Sequence, residues 1–124
     1  MRRVFLLIFS LAVFAATAVA QDPVKVDPQH YKVESENAQV RILRVTYGSH
    51  EKSPMHSHPN SVAVFLTDGH VQFTYPGGKT EEVTFKSGES RWTKAGKHAP
   101  ENLGDKPFEL VLVELKGKPR TAKK

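Results

Sequence analysis

The sequence predicts an all-β domain, built as a sandwich or a barrel. After residue 20, no stretch shows the sustained apolar period of 3.6 residues that an amphipathic helix requires. Short runs rich in β-branched and aromatic residues follow one another instead, and Gly, Pro and Asp turn signals separate them. Strands of this length and spacing are typical of antiparallel sandwiches and barrels.

Six segments are predicted as strands. Residues 40–47 are rich in β-branched side chains, residues 61–67 (SVAVFLT) are almost entirely apolar, and residues 70–75 alternate polar with apolar. Turns at Asp68-Gly69, at Pro76 to Gly78 and at Ser87-Gly88 separate the central strands. If Val62 faces the interior, strand alternation places Val64 and Leu66 there too. The remaining predicted strands are residues 80–85, 89–93 and 108–115.

The first 20 residues predict a secretory signal peptide. Arg2 and Arg3 precede an apolar core at residues 4–14, and Ala18 to Ala20 form a small-x-small cleavage site. The apolar run is shorter than the roughly 18 residues that a spanning helix needs, so we expect no stable membrane anchor. We therefore expect cleavage after Ala20 and export to the periplasm or the medium.

The rest of the chain has room for one domain. We predict an N-terminal arm at residues 21–38, a folded domain at residues 39–116 and a flexible basic tail at residues 117–124. The net charge of +5 comes from the two ends of the chain, because residues 21–115 carry eleven basic and thirteen acidic side chains. This distribution argues against a nucleic-acid-binding domain. The absence of cysteine excludes disulfides and thiolate ligands.

The histidines suggest a metal site. His56 and His58 are two residues apart, so on an extended segment both side chains point to the same face. His98 is the natural third ligand, since it follows a glycine-containing turn at the end of another predicted strand. Three imidazoles suit Zn, Cu, Fe or Ni. The alternative is that the pair lies in a surface loop beside Pro59 and binds nothing.

Two motifs resemble those of the cupin superfamily. The first runs from Gly48 through His56-Ser57-His58 to Gly69, and the second from Gly88 through Lys94, Gly96 and His98 to Asn102. The resemblance covers residues 40–116. It implies a single-domain jelly-roll β-barrel, also called a double-stranded β-helix. It also implies a divalent transition metal (Zn, Fe, Ni, Mn or Cu) held by His56, His58 and His98.

The chain departs from the cupin pattern at four places, one of which is Gly48, because it lies further upstream of His56 than in the family. Val62 stands where the family has a metal-binding glutamate, and neither Ser61 nor Ala63 can replace a carboxylate. Lys94 replaces the proline of the second motif, and one residue is missing between Gly96 and His98. The resemblance therefore implies a three-histidine variant of the metal site and leaves the reaction open.

Four further residues are candidates for a pocket near the histidines. Tyr75 and Trp92 combine an apolar body with a polar atom, which suits the wall of a binding site. Glu101 follows His98 by three residues, so it is either a substitute carboxylate ligand or an acid in a loop at the barrel mouth. His50 is either a general base at the mouth or a solvated loop histidine.

Three functions fit these observations. The first is a metal-dependent enzyme, such as an oxygenase or an isomerase, that acts on a small molecule. The second is a non-catalytic module that binds a small ligand with or without metal. The third is a structural domain without metal. The resemblance also implies a homodimer formed through edge strands, by analogy of fold alone.

Overall fold

Two antiparallel sheets face each other in the computed structural model, which describes residues 21–117. The predicted signal peptide and most of the predicted basic tail lie outside these residues. One sheet has the strand order β1-β2-β9-β4-β7 and the other β3-β8-β5-β6. The all-β jelly-roll prediction is confirmed. The elements are α1 (Pro23–Val26), β1 (Tyr31–Glu36), β2 (Val40–Tyr47), β3 (His56–His58), β4 (Ser61–Phe65), β5 (Gly69–Thr74), β6 (Thr80–Phe85), β7 (Ser90–Thr93), β8 (Gly96–Asn102) and β9 (Phe108–Leu115).

The hydrophobic core lies between the two sheets. Strand alternation supplies it, because every second residue of β2, β4 and β9 turns inward. Leu43 is fully buried, and Phe65 and Phe85 stack with ring centroids 4.0 Å apart. The other buried apolar side chains are Tyr31, Val45, Tyr47, Ala63, Val71, Phe108 and Leu112.

The predicted orientation of β4 was wrong. Ser61, Ala63 and Phe65 are its buried positions, so Val62 and Val64 occupy the opposite face of the strand. Leu66 lies beyond the end of the strand and is 41% exposed. The segment is apolar at nearly every position, so its sequence contains no alternation from which the inward face could be read.

The N-terminal segment, residues 21–30, is more ordered than an extended arm. Helix α1 begins after Asp22, whose Oδ1 accepts a hydrogen bond from the Val24 amide at 3.0 Å, and Pro23 occupies the first helical turn. Aspartate at the cap and proline in the first turn are both favourable there. Strand β1 follows and pairs with β2, so sheet structure begins before residue 39, where we predicted the domain to start.

Within residues 21–117 the only helix is the four-residue α1, and no helix there reaches the length and apolarity of a membrane span.

Candidate metal centre

The three predicted ligand histidines come together at one end of the β3–β8 ladder. His56 lies directly opposite His98 in this ladder, and His58 lies opposite Gly96. The three side chains each offer a nitrogen, and these nitrogens all lie within 4.8 Å of one another. Ring centroids are 4.8 Å apart for His56 and His58, 5.0 Å for His56 and His98, and 5.2 Å for His58 and His98. The i, i+2 spacing and a cross-strand pair thus produce the cluster.

One nitrogen of His56 is satisfied and the other is not. Its Nδ1 is 2.9 Å from the Pro54 carbonyl oxygen and 3.3 Å from Ser53 Oγ. A carbonyl oxygen can only accept, so the imidazole proton is on Nδ1. Within the described residues, His56 Nε2 is buried and has no hydrogen-bond partner. An unpaired, buried imidazole nitrogen among two other imidazoles is the arrangement that a metal ion completes.

His58 is held by a buried carboxylate from the opposite sheet. Its Nδ1 is 2.7 Å from Oε2 of Glu114 on β9, and Glu114 Oε1 accepts a hydrogen bond from Arg41 Nε at 2.7 Å. Burial opposes ionisation of Glu114, but the hydrogen bonds from His58 and Arg41 outweigh it and lower the pKa of that carboxyl. The carboxylate therefore accepts a hydrogen bond from His58 Nδ1–H, which leaves the lone pair of His58 on Nε2.

Burial keeps His56 and His98 uncharged. Desolvation, with a smaller repulsion from His58, lowers the pKa of His56 to about 4. Desolvation, with the charges of His58 and His56, lowers the pKa of His98 to about 2. Neutral imidazole is the form that binds a metal ion, so both side chains are ready to act as ligands at neutral pH.

An apolar cavity of about 560 Å³ lies beside the cluster. Two of its lining side chains also touch the histidines. Phe73 stacks on His98 with ring centroids 4.7 Å apart, and Tyr31 meets His56 edge-on at 4.8 Å. The phenol oxygens of Tyr31 and Tyr47 are 2.6 Å apart. The wall between the cavity and the imidazoles is therefore aromatic.

The structure separates the four pocket candidates into two pairs. Tyr75 and Trp92 line the cavity, and Trp92 is 59% exposed. Glu101 and His50 are not among the lining residues and do not belong to the histidine cluster. Glu101 alternates with the inward-facing positions of β8, which turns it away from the interior. His50 is an exposed loop residue whose Nε2 is 2.9 Å from Asp105 Oδ1.

Sequence reasoning missed the buried polar residues around the cluster. Glu114, Asp27, His30 and Ser53 are all nearly inaccessible to solvent. Glu114 did carry a signal, because it continues the inward-facing series of β9 in the run FELVLVEL, where a charged residue is unexpected. The other three lie outside the strands and gave no comparable signal.

Comparison with known proteins agrees with this architecture. The family model described as a cupin domain matches residues 43–114. No curated protein matches the chain significantly.

Similar solved structures share the fold. A cupin domain from Bordetella pertussis Tohama I is 24% identical, with a TM-score of 0.65 over 70% of this chain and 92% of that one. A protein with a double-stranded β-helix domain from Klebsiella pneumoniae is 19% identical, with a TM-score of 0.54 over 71% of this chain and 84% of that one. A cupin superfamily protein from Desulfitobacterium hafniense is 13% identical, with a TM-score of 0.52 over 68% of this chain and 74% of that one.

Proposed function

The chain belongs to the cupin superfamily, and we propose that it holds one divalent transition-metal ion on His56, His58 and His98. The observation that carries this proposal is the buried Nε2 of His56, which has no partner among the described residues although two further imidazoles lie beside it. Leaving such a nitrogen unpaired costs about 1–3 kcal/mol. A bound ion would remove that cost.

The donor set favours a borderline transition metal. Three neutral imidazoles suit zinc, iron, nickel or copper, and manganese is a further candidate from the family pattern. In residues 21–117 no carboxylate joins the cluster, so a bound dication would keep its full charge. Three protein ligands also leave coordination positions open for water or for a substrate, as in catalytic rather than structural sites. When bound, the ion would supply Lewis acidity.

The ligand that we propose is an apolar small molecule. The cavity next to the histidines is lined mainly by aromatic and aliphatic side chains, and its volume is in the range of small-molecule sites. Tyr31 lies at the boundary with the cluster, where burial and its contact with Tyr47 raise its pKa well above the usual value. Its phenol therefore stays protonated, and it shares a hydrogen bond with the Tyr47 hydroxyl at 2.6 Å. We propose an oxygenase or isomerase type of activity on this basis.

A non-catalytic binding module is the second candidate, and one observation favours it. Phe73 and Tyr31 lie between the cavity and the histidines, which are not themselves among the lining residues. A ligand in the cavity would then touch aromatic rings rather than the ion. Turnover by the metal-loaded protein across a panel of apolar substrates would favour the enzyme, and ligand binding without turnover would favour the module.

Metal binding is tested with untagged protein. Elemental analysis should find about one transition-metal ion per chain. Zinc at about 100 times its Kd should stabilise the fold by about 2.7 kcal/mol, and a chelator should reverse the rise in Tm. His98→Ala should abolish the response. His70→Ala is the matched control, because His70 is an exposed histidine that bonds Glu82. A wild-type Tm that responds to neither zinc nor chelator would contradict the proposal.

We also propose that the protein is exported, on the basis of residues 1–20. Mass spectrometry of protein from the periplasm or the medium should find Gln21, or its cyclised form, at the N-terminus. Intact Met1 in a membrane fraction would contradict export.

A further inference from the structure

We propose that two aspartates of the N-terminal segment position two histidines of the cluster: Asp22 fixes the orientation and the tautomer of His58, and Asp27 helps to fix the orientation of His56. The inference rests on the proposed metal site, because it assigns these aspartates a role in positioning two of its ligands. Both aspartates precede the region that matches the cupin family, which begins at residue 43. The positioning groups would therefore be a feature of this chain outside the matched domain.

The first chain of contacts leads from Asp22 to His58. Asp22 accepts two hydrogen bonds from the guanidinium of Arg41, at 2.9 and 3.0 Å. Arg41 Nε donates to Glu114 Oε1 at 2.7 Å, and Glu114 Oε2 is 2.7 Å from His58 Nδ1. The bidentate pair restricts the arginine to one plane, and the arginine in turn holds the carboxylate. Glu114 has 3% of its side chain exposed, so water does not compete for these contacts.

The second chain leads from Asp27 to His56. Asp27 Oδ2 accepts from Ser53 Oγ at 2.5 Å and from His30 Nδ1 at 2.6 Å. Ser53 has one hydroxyl proton, and it donates this proton in the hydrogen bond to the Asp27 carboxylate. Ser53 Oγ can then only accept, and His56 Nδ1 faces it at 3.3 Å, with the Tyr47 hydroxyl also within reach. The Pro54 carbonyl accepts from the same Nδ1–H at 2.9 Å.

Both series of contacts have the same chemical consequence. Each places an acceptor at Nδ1 of an imidazole, so the proton of the neutral ring stays there and the lone pair stays on Nε2. Hydrogen bonds of this kind fix the tautomer of metal-binding histidines and strengthen their binding. His98 is oriented differently, since its ring stacks on Phe73.

The chain offers a matched control for the first series of contacts. Glu34 on β1 bonds Arg44 Nε at 2.8 Å, and Arg44 also bonds Glu109 on β9 at 2.7 Å. This is the same acid–arginine–acid arrangement on the same two strands, β2 and β9, but no contact joins Glu109 to the histidine cluster. Glu34→Gln therefore removes an equivalent carboxylate without touching the proposed positioning.

The experiment compares Asp22→Asn with Glu34→Gln in the otherwise complete protein. Zinc affinity is measured by competition with a chelator, and imidazole tautomers are read by ¹⁵N NMR of the zinc-free protein at pH 8. Direct partners of ligand histidines typically change metal affinity by roughly 10- to 100-fold. Glu114→Gln and Ser53→Ala should fall in that range. Asp27 lies one contact beyond Ser53, and Asp22 lies two contacts beyond Glu114, so we expect smaller losses of about three- to tenfold for Asp27→Asn and Asp22→Asn. Glu34→Gln should change nothing.

The spectra separate positioning from a general loss of stability. Wild-type His56 and His58 should both carry the proton on Nδ1. Asp22→Asn should raise the Nε2-protonated fraction of His58 alone. Asp27→Asn should leave the proton of His56 on Nδ1, because the Pro54 carbonyl still accepts it at 2.9 Å, and should lower zinc affinity through the orientation of the ring. If Asp22→Asn does not fold, Arg41→Lys tests the same series of contacts. Lysine keeps the positive charge but cannot make the bidentate contact with Asp22.

Each outcome decides between two ideas. Equal zinc affinities for Asp22→Asn and Glu34→Gln, with unchanged tautomers, would overturn the positioning role and leave the metal site intact. Failure of the wild type to bind zinc would overturn the proposed function instead. In that case the tautomers decide the inference, and Nε2-protonated rings in the wild type would refute it.

Discussion

His58 on β3 and Glu114 on β9 join the two sheets through a hydrogen bond of 2.7 Å. The bond is buried, and the Glu114 carboxylate also accepts a hydrogen bond from Arg41 Nε. Removing the carboxylate would therefore leave two polar groups without their partner inside the barrel. Next to the histidine cluster, the two sheets are therefore joined by hydrogen bonds to an ionised carboxylate as well as by apolar packing.

Glu114→Ala should therefore destabilise the protein strongly. One member of a buried, charged network is removed, and such truncations cost about 3–5 kcal/mol. Urea unfolding followed by circular dichroism measures the change. Glu109→Ala is the control, because its side chain is 39% exposed in the comparable pair with Arg44. A loss no larger than that of the control would show that the buried network contributes little.

The stability of the zinc-free protein should fall as the pH drops below about 6.5. In the folded state the pKa is about 4 for His56 and about 2 for His98, against 6.5 for an ordinary histidine. The unfolded chain therefore takes up protons first, and acid favours unfolding. At pH 5 each histidine should cost about 2 kcal/mol relative to pH 8. Urea unfolding at the two pH values measures this, and a flat profile would contradict burial of neutral imidazoles.

Adding a carboxylate at position 62 should not restore the missing cupin ligand. Val62 lies on the face of β4 opposite to the buried positions, so Val62→Glu should leave zinc affinity unchanged and cost about 1 kcal/mol or less. Ala63→Glu should place its acid inside the barrel and destabilise the zinc-free protein by several kcal/mol, on the order of 3. Melting curves with and without zinc compare the two. A tighter zinc site in Val62→Glu would show that the strand faces the other way.

Gly69 and Gly96 should respond differently to alanine. A Cβ at Gly69 would lie 2.3 Å from the Phe85 ring, whereas one at Gly96 would meet nothing within 4 Å. Gly69→Ala must displace a buried ring and should cost about 1–3 kcal/mol. Gly96→Ala should leave stability within about 0.5 kcal/mol of the wild type. Thermal melting measures both variants, and equal stabilities would contradict the packing of Phe85 against Gly69.

Narrowing the cavity should weaken binding of an apolar probe and leave zinc affinity unchanged. Val71 is buried and lines the cavity, so Val71→Phe reduces its volume. The probe is toluene, which is uncharged and apolar, and the readout is the fluorescence of Trp92, the only tryptophan, which also lines the cavity. Val33→Phe is the control, because Val33 is exposed on an edge strand. Undiminished probe affinity in Val71→Phe would place the binding site elsewhere.

The sequence predicts strands well where their residues are apolar and β-branched. Residues 40–47, 80–85 and 108–115 were predicted with the bounds that the structure has. Strands β1, β3 and β8 were missed because their sequences lack that pattern. Residues 31–36 (YKVESE) form a charged edge strand, and residues 96–102 contain Pro100. Proline is unfavourable in a central strand, but Pro100 lies past the end of the β3–β8 ladder, where β3 no longer pairs with β8.

The histidine cluster was predictable in composition but not in its surroundings. His56 and His58 share a face by spacing alone, and the family motif identifies His98. Glu114 is 56 residues from His58 along the chain, and only the pairing of distant strands brings them together. Asp27 meets Ser53 for the same reason, because loops from separate parts of the chain converge there. Local sequence patterns contain no information on such contacts.

The aromatic wall has a thermodynamic consequence. Phe73 lines the cavity and stacks on His98, so a molecule in the cavity would contact the same ring that packs against a proposed metal ligand. Any effect of one occupant on the affinity of the other must be reciprocal, by the same factor in both directions. The ring would then act as the coupling element between two ligands that never touch. A ligand that tilts the Phe73 ring would change the affinity of the histidines for the metal ion. Metal binding would in turn change the affinity of the cavity for each ligand.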